Sequence, residues 1–272
     1  MSIIEALICG IVQGLTEFLP VSSSGHLAIF HSLLGMSDIS NNVTFDIMLH
    51  LATLCAVFCV YYEDIFKLIP AFFTMSGKFL RGRIKDFSPN ERLAAYIVLA
   101  TIPLAGALII SDAAENVASN VRAVGVILII NGVLLVLGDK VGKKNKTTDR
   151  LGVGGALGVG TFQLAAVLPG LSRSGSTITG GMMFGLGRED AVKFSFILSI
   201  PAIIGANVKK VPQMFSSGVD RASAAVYAVG MFSAAITGFA ALKLIKYIAN
   251  KKSFGIFAYY CFAAGLAAVI FG

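Results

Sequence analysis

The sequence predicts an all-α integral membrane protein built as an inverted-topology repeat. Three observations support this prediction: a high apolar content, a low content of charge, and two similar polar stretches about 150 residues apart. Of the 272 residues, 56% are hydrophobic and 14% are charged, whereas soluble domains contain about 25% charged residues. The mean hydropathy is +0.81. A chain of this composition is expected to bury its apolar surface in a lipid bilayer.

The two polar stretches are residues 13–26, QGLTEFLPVSSSGH, and residues 163–176, QLAAVLPGLSRSGS. With an offset of 150 the same residue types recur in the same order: Gly10 and Gly160, Gln13 and Gln163, Ser24 and Ser174, Gly25 and Gly175, Gly35 and Gly185. This many matches in one order indicate an internal duplication.

The first repeat, residues 1–138, begins with a segment that is apolar at both ends and polar in the middle. Neither half of this segment, residues 3–35, reaches the roughly 20 residues that a spanning helix needs. We therefore predict a re-entrant hairpin, in which a helix enters the membrane, breaks at an irregular turn and leaves as a second helix. Non-helical backbone at membrane depth is tolerated only inside protein or beside water, so the turn is expected to line a cavity. Three spans follow the hairpin: 43–62, 92–112 and 122–139.

The second repeat, residues 151–272, follows a polar linker at 139–150 and has the same order of elements within a single membrane domain. Its predicted re-entrant hairpin covers residues 151–187. Its three predicted spans are 192–208, 222–246 and 255–271. Three spans in the first repeat invert the second copy relative to it. One hairpin then enters from each side, and the two polar turns meet near the midplane, as in transporters.

Basic residues set the expected orientation. The net charge of +7 is concentrated in a few loops, chiefly 63–91 and 139–150, which the inversion places on one side of the membrane. The positive-inside rule makes this side cytoplasmic. The charge therefore indicates membrane orientation, and no nucleic-acid partner is expected.

The first turn contains residues that are costly to bury in a membrane, and each ionisable one is a candidate functional residue. Glu17 follows Gln13 by one helical turn, so the two side chains face the same way. Three serines at 22–24 precede Gly25, which permits unusual backbone angles or a close ligand. A helix that begins near His26 would aim free N–H groups at the turn, a geometry suited to phosphate.

The second turn adds Arg173, whose planar guanidinium can hold phosphate oxygens in a bidentate manner. Further hydroxyl donors are present: Ser172, Ser174 and Thr177. Together the two turns are suited to a phosphate ester or anhydride that a lipid carries. A serine can act as nucleophile with His26 as base, or Glu17 can activate water or hold a metal that bridges phosphates. The spacing does not decide between these mechanisms.

Structural roles are the alternative for each residue. Small and hydroxyl side chains often pack membrane helices together. Arg173 can cap a helix, Glu17 can be a structural ion-pair partner, and Gln13 and Gln163 can satisfy the backbone of the broken helices.

The two stretches resemble the signature motifs of the undecaprenyl-diphosphate phosphatase family, the BacA/UppP type linked to bacitracin resistance. The first motif, (E/Q)xxxE, is matched by Gln13 and Glu17. The second, PGxSRSxxT, is matched by six residues: Pro169, Gly170, Ser172, Arg173, Ser174 and Thr177. The resemblance extends over nearly the whole chain in length and in segment order.

The resemblance implies hydrolysis of a polyprenyl diphosphate carrier to its monophosphate for peptidoglycan synthesis. The enzyme would be a multi-pass protein of the bacterial plasma (inner) membrane, with membrane lipids around it and its site open to the outer (periplasmic) face. Dependence on Mg²⁺ or Ca²⁺ is also implied. Gln13 stands where some members have Glu, and a neutral amide is a weaker metal ligand than a carboxylate.

Motif position assigns the expected catalytic roles. The implied catalytic residues are Glu17, Ser23, His26 and Arg173, with Glu17 also the metal ligand through the bound diphosphate. The chemistry of the two turns, rather than the motifs, gives the expected phosphate-binding residues, which are Ser22, Ser24, Gly25, Ser172, Ser174, Gly175 and Thr177, with Gln13 and Gln163 in support. The competing function is a transporter or flippase of polyprenyl phosphate that uses the inverted repeat, and a homodimer stays open.

Overall fold

A computed structural model describes residues 2–33, 39–141, 145–217, 224–251 and 253–272. Within these ranges the chain forms eleven α-helices, three short 3-10 segments and no β-strand. The helices are α1 Ile3–Phe18, α2 Ser23–Leu33, α3 Ile39–Leu80, α4 Pro89–Thr101, α5 Ala107–Ala118, α6 Val121–Val141, α7 Val153–Ala165, α8 Arg173–Met183, α9 Arg188–Ser217, α10 Ala224–Lys251 and α11 Gly255–Phe271.

Five helical stretches in the described part of the chain are long and apolar enough to cross a bilayer. They are Thr44–Leu80, Pro89–Ala118, Val121–Val141, Arg188–Val208 and Ala224–Asn250. The prediction of an all-α, multi-pass membrane protein is therefore confirmed.

α3 is longer than the sequence predicts. The predicted span 43–62 and most of the predicted loop 63–91 form one helix that ends at Leu80. Tyr61, with φ −115° and ψ 23°, kinks the helix without ending it. Beyond the kink, Met75 is buried in an apolar cluster with residues that lead into and begin α4. The burial of this apolar face stabilises helix where the basic residues predict a loop.

The predicted span 92–112 is interrupted. α4 ends at Thr101, a 3-10 segment covers Ile102–Gly106, and α5 continues the path. Pro103 explains the break, because a proline has no N–H to donate to the carbonyl four residues earlier. The other predicted spans correspond to whole helices or to parts of them: 122–139 to α6, 192–208 to α9, 222–246 to α10 and 255–271 to α11. Residues 222 and 223 lie outside the described residues.

Both predicted hairpins consist of two short helices joined by an irregular turn. α1 and α2 are separated by residues 19–22, and α7 and α8 by residues 166–172. Residues 34 and 35, at the end of the first predicted hairpin, lie outside the described residues. Each second helix begins with the same serine cap: Ser22 Oγ accepts from Gly25 N–H at 3.2 Å, and Ser172 Oγ accepts from Gly175 N–H at 3.1 Å.

Each hairpin packs mainly against the other half of the chain. α1 packs on α10, and α7 packs on α4 and the 3-10 segment after it. Gly10 and Gly160 lie at these crossings, where an added Cβ would meet Ser233 Oγ at 2.0 Å and the Ala100 carbonyl oxygen at 2.5 Å. α3 also packs on α9 and α6 on α11. Exchange of the halves maps the α1–α10 pairing onto the α7–α4 pairing, and it maps the α3–α9 and α6–α11 pairings onto themselves. An internal two-fold relation requires this pattern; the inverted membrane topology stays a prediction.

Candidate functional site

The two polar turns lie against each other. A Cβ added at Gly25 would be 3.1 Å from the Gly170 Cα atom, and one added at Gly175 would be 3.2 Å from the Pro20 Cβ atom. Each hairpin thus uses a glycine of its second helix to admit the turn of the other hairpin. Residues about 150 positions apart in the sequence form one site.

Glu17 is the centre of this site and is buried. Its Oε1 atom forms an ion pair with Arg173 Nη2. Its Oε2 atom accepts hydrogen bonds from Ser23 Oγ at 2.7 Å and from Gln13 Nε2 at 3.0 Å. His50 Nδ1 lies 3.4 Å from the same oxygen and accepts from Gln13 Nε2 at 2.9 Å. The structure therefore brings three of the four predicted catalytic residues into one hydrogen-bonded network.

Arg173 has donor capacity beyond this ion pair. Its side chain is 17% exposed, and its Nη1 atom is buried with no hydrogen-bond partner among the described residues. A guanidinium presents several N–H donors in one plane, which matches the spacing of phosphate oxygens. The second turn therefore offers an anion-binding group beside the carboxylate of the first turn.

The hydroxyls of the second turn hold the turn together. Ser172 Oγ and Ser174 Oγ lie 3.0 Å apart, and Ser174 Oγ also donates to the Leu19 carbonyl at 3.3 Å. Thr177 Oγ1 donates to the Arg173 carbonyl at 2.8 Å and lies 2.6 Å from Ser195 Oγ. All these serine and threonine side chains are buried. The predicted phosphate-binding hydroxyls thus have protein partners.

Ser22 has an uncommon backbone conformation, with φ +72°. Non-glycine residues rarely adopt this left-handed region, and such residues are frequent at functional sites. The conformation lets the Ser22 side chain cap α2 while its carbonyl accepts from the His26 ring. Of the two following serines, Ser23 is half-buried and Ser24 is exposed.

His26 contacts different groups from those that the sequence suggests. Its Nδ1 atom is 2.7 Å from the Ser22 carbonyl, and its Nε2 atom is 2.7 Å from the Tyr260 hydroxyl. A carbonyl only accepts, so Nδ1 carries the proton and Nε2 accepts from Tyr260. The two rings are also stacked, with centroids 5.6 Å apart. The hypothesis that His26 is the base for Ser23 does not match this geometry, because Ser23 donates to Glu17 and both His26 nitrogens have other partners.

The two glutamines of the repeat have different surroundings. Gln13 belongs to the Glu17 network, whereas Gln163 Nε2 lies 3.5 Å from the Ala100 carbonyl of α4. Both side chains are buried, and both Oε1 atoms are without a hydrogen-bond partner among the described residues.

Asn131 and Tyr260 lie at the site, although the sequence does not single them out. Asn131 is completely buried and hydrogen-bonds to both turns, to the Pro20 carbonyl at 2.9 Å and to Ser172 N–H at 3.0 Å. Its signal in the sequence is a lone asparagine in an apolar span. Tyr260 offers no comparable signal, because tyrosines near span ends also serve as interface anchors.

The side chains at the site determine which kind of metal ion they could coordinate. Among the described residues, no three histidine, cysteine, aspartate or glutamate side chains could hold a metal ion by themselves. Glu17 offers a carboxylate and Gln13 offers the buried, unpaired Oε1 atom. Mg²⁺ prefers oxygen ligands and is often bound by one or two carboxylates together with substrate phosphates. These residues fit an ion shared with a phosphate ligand.

Comparison with known proteins gives concordant matches over almost the entire chain. The family described as bacitracin resistance protein BacA matches residues 6–267. The undecaprenyl-diphosphatase of Methanobrevibacter smithii is 40% identical over 271 residues, which cover 98% of this chain and 96% of that protein. The undecaprenyl-diphosphatase of Rubrobacter xylanophilus is 38% identical over 274 residues, with 99% and 97% covered. That of Rhodopirellula baltica is 39% identical over 271 residues, with 98% and 97% covered. The chain belongs to the BacA family of bacitracin resistance proteins.

Proposed function

We propose that this chain is an undecaprenyl-diphosphatase, which hydrolyses undecaprenyl diphosphate to undecaprenyl phosphate and inorganic phosphate. The observation that carries the proposal is the ion pair between Glu17 and Arg173, which joins the two signature turns into one buried site. The names of the similar proteins support the same activity. The product would return to peptidoglycan synthesis, and removal of the diphosphate would account for bacitracin resistance.

The diphosphate would bind between the two turns, with the polyprenyl tail between helices in the membrane. Arg173 would direct its unpaired Nη1 group to the phosphate oxygens. A cation in a water-poor site stabilises the charge that develops on these oxygens in the transition state. Both turns come from one chain, so the proposal does not require a homodimer.

The hydrogen bond from Ser23 to Glu17 suggests how the reaction begins. Ser23 Oγ donates to Glu17 Oε2 at 2.7 Å, so the carboxylate can take the proton as Ser23 Oγ attacks the terminal phosphorus. The bond between that phosphorus and the bridging oxygen breaks, and polyprenyl monophosphate leaves. Water then attacks the phosphoserine, inorganic phosphate is released, and Glu17 returns the proton to Ser23. Direct attack by a water that Glu17 activates is the alternative.

Glu17 and the Gln13 carboxamide oxygen would hold Mg²⁺ or Ca²⁺ together with the diphosphate. When bound, the ion would neutralise charge on the phosphate oxygens.

The proposed orientation places the loop after α3 and the linker at 139–150 in the cytoplasm, with the site open to the outer face. The basic residues of these segments support it through the positive-inside rule. The reciprocal packing of the two hairpins supports a two-fold axis in the membrane plane, as in inverted repeats.

The test is a phosphate-release assay on the purified protein in detergent. Undecaprenyl diphosphate is supplied with Mg²⁺ or Ca²⁺, and a parallel arm contains a chelator. We expect release with metal and at least about a thousand-fold less for Glu17→Gln, whereas Glu63→Gln, at an exposed position on α3, retains activity. Detergent provides no sealed compartment, so transport cannot produce the signal. Release no greater than that of Glu17→Gln with either metal would reject the hydrolase and favour a transporter.

A further inference from the structure

The carboxamide of Asn131 lies near the middle of α6. Asn131 is completely buried in a helix that is otherwise apolar around it. A buried amide is costly unless it is hydrogen-bonded, and this one is fully engaged. Its Nδ2 atom donates to the Pro20 carbonyl at 2.9 Å and lies 3.3 Å from Cys261 Sγ, while its Oδ1 atom accepts from Ser172 N–H at 3.0 Å.

The two backbone partners lie next to the reacting residues. Pro20 lies midway between Glu17 and Ser23 in the sequence, and Ser172 directly precedes Arg173. Backbone groups in such turns are outside the regular helix and need partners when buried. One carboxamide supplies a donor to the first turn and an acceptor to the second.

The bridge also connects two segments that belong to different hairpins. Pro20 is 111 residues from Asn131, and Ser172 is 41 residues from it. A carboxamide is short and planar, so its two hydrogen bonds fix the separation of the two turns closely. The same separation determines whether Arg173 reaches Glu17.

We propose that Asn131 is a positioning residue for the phosphatase reaction: its carboxamide holds the two signature turns at the separation that the Glu17, Ser23 and Arg173 constellation requires. The proposal rests on the proposed function but concerns the geometry of the site. Asn131 acts through the turns and does not touch the reacting atoms.

Asn131→Leu is the informative variant, because leucine has a similar size and cannot hydrogen-bond. It leaves the Ser172 N–H unpaired and leaves the Pro20 carbonyl with only the long contact from the Cys261 thiol, at 3.9 Å, so the turns shift. A displacement of about 1 Å can cost about a hundred-fold in rate, and we expect that loss in kcat. The KM should change by less than about threefold, since the loss falls on the transition state.

Leu128→Ala is the matched control. Leu128 is also completely buried on α6, one turn before Asn131. The alanine variant should lower the melting temperature in detergent at least as much as Asn131→Leu, with kcat within about threefold of the original. Equal losses of kcat in the two variants at similar melting temperatures would reduce Asn131 to a packing residue and overturn the proposal.

A distance measurement separates this proposal from the enzymatic one. Spin labels are attached at Ser24→Cys and Ala165→Cys, two exposed positions beside the two turns, after the exposed Cys55 and Cys59 are changed to serine. Pulsed electron paramagnetic resonance should show a broader distance distribution for Asn131→Leu than for Leu128→Ala. If the distance distribution of Asn131→Leu matches that of Leu128→Ala, the positioning role is overturned, whether or not the unaltered protein hydrolyses the lipid. If the distribution broadens but the unaltered protein shows no phosphatase activity, only the phosphatase function is rejected.

Discussion

The first and second hairpins share a framework and differ in chemistry. Both have a buried glutamine, a proline, a serine cap and a close glycine contact with the opposite turn. Between glutamine and proline the first hairpin reads GLTEFL and the second reads LAAVL. Only the first has a carboxylate there, whereas the second has Arg173 where the offset of 150 places Ser23.

This difference shows how a duplicated framework produces an asymmetric site. The shared residues bring the two turns together, and the divergent residues give one turn an anion with a nucleophile and the other a cation. Two identical turns would place like charges or only neutral groups against each other. The divergence therefore completes the site that the duplication positions.

Arg173→Lys tests the cation of the second hairpin and should have the largest effect among the changes that test this comparison. Lysine keeps the charge but loses the planar set of donors, so a bidentate phosphate contact cannot form. We expect about a hundred-fold to thousand-fold loss of phosphate release with the fold intact. Arg188→Lys, whose arginine pairs with Asp139 away from the turns, should stay near the original rate. If Arg173 only caps a helix, Arg173→Lys should turn over substrate at a near-normal rate. That result would exclude the bidentate phosphate contact from the mechanism.

Ser23→Ala tests the nucleophile of the first hairpin. If Ser23 attacks phosphorus, turnover should fall by orders of magnitude with substrate binding largely kept. If water attacks, the loss should reflect one hydrogen bond, about 0.5–1.5 kcal/mol. We expect the large loss, and a smaller one for Ser24→Ala at the exposed neighbouring position. Trapping of a phosphorylated serine in the unaltered protein would provide independent support, and a loss below about tenfold would leave Glu17 and water as the attacking pair.

Gly10→Ala and Gly160→Ala test the shared framework. An added Cβ at either position meets atoms of the opposite half at 2.5 Å or less, and such overpacking typically costs about 1–3 kcal/mol. Both variants should therefore lose thermal stability in detergent by similar amounts. Gly154→Ala, in α7, should lose none, because the new Cβ would meet no other packed group of the described residues within 4 Å. If only one of the two variants loses thermal stability, the α1–α10 and α7–α4 crossings are not equivalent.

Tyr260→Phe should have the smallest effect. It keeps the ring stacked on His26 and removes the hydroxyl that donates to Nε2. The expected cost is that of one hydrogen bond, about 0.5–1.5 kcal/mol, seen as a several-fold fall in kcat. Tyr259→Phe, at an exposed position beside it, is the control. A fall of more than about a hundred-fold would instead make His26 and Tyr260 a proton path.

The predictable part of the site is the part that the motifs contain. Glu17, Ser23 and Arg173 are polar in apolar surroundings, so their cost in a membrane singles them out. The partners of Asn131 are backbone groups, which have no residue-type signal, and the partner of His26 is 234 residues away. In the fold, local apolar runs predict the helices. The extension of α3 to Leu80 depends on the burial of Met75 against residues at the start of α4. The basic residues of 63–91, which predict a loop, carry no information about this contact.

The reciprocal packing of the hairpins has a consequence for the order of assembly in the cell. α1 has its main contacts with α10, which the ribosome makes about 200 residues later. At about 5–20 residues per second, this delay is roughly 10–40 s. During that time the glycine-lined face of α1 lacks its partner and must be shielded by lipid, by the translocon or by a chaperone. Neither half can therefore mature alone, and the chain reaches its native state only when translation is nearly complete.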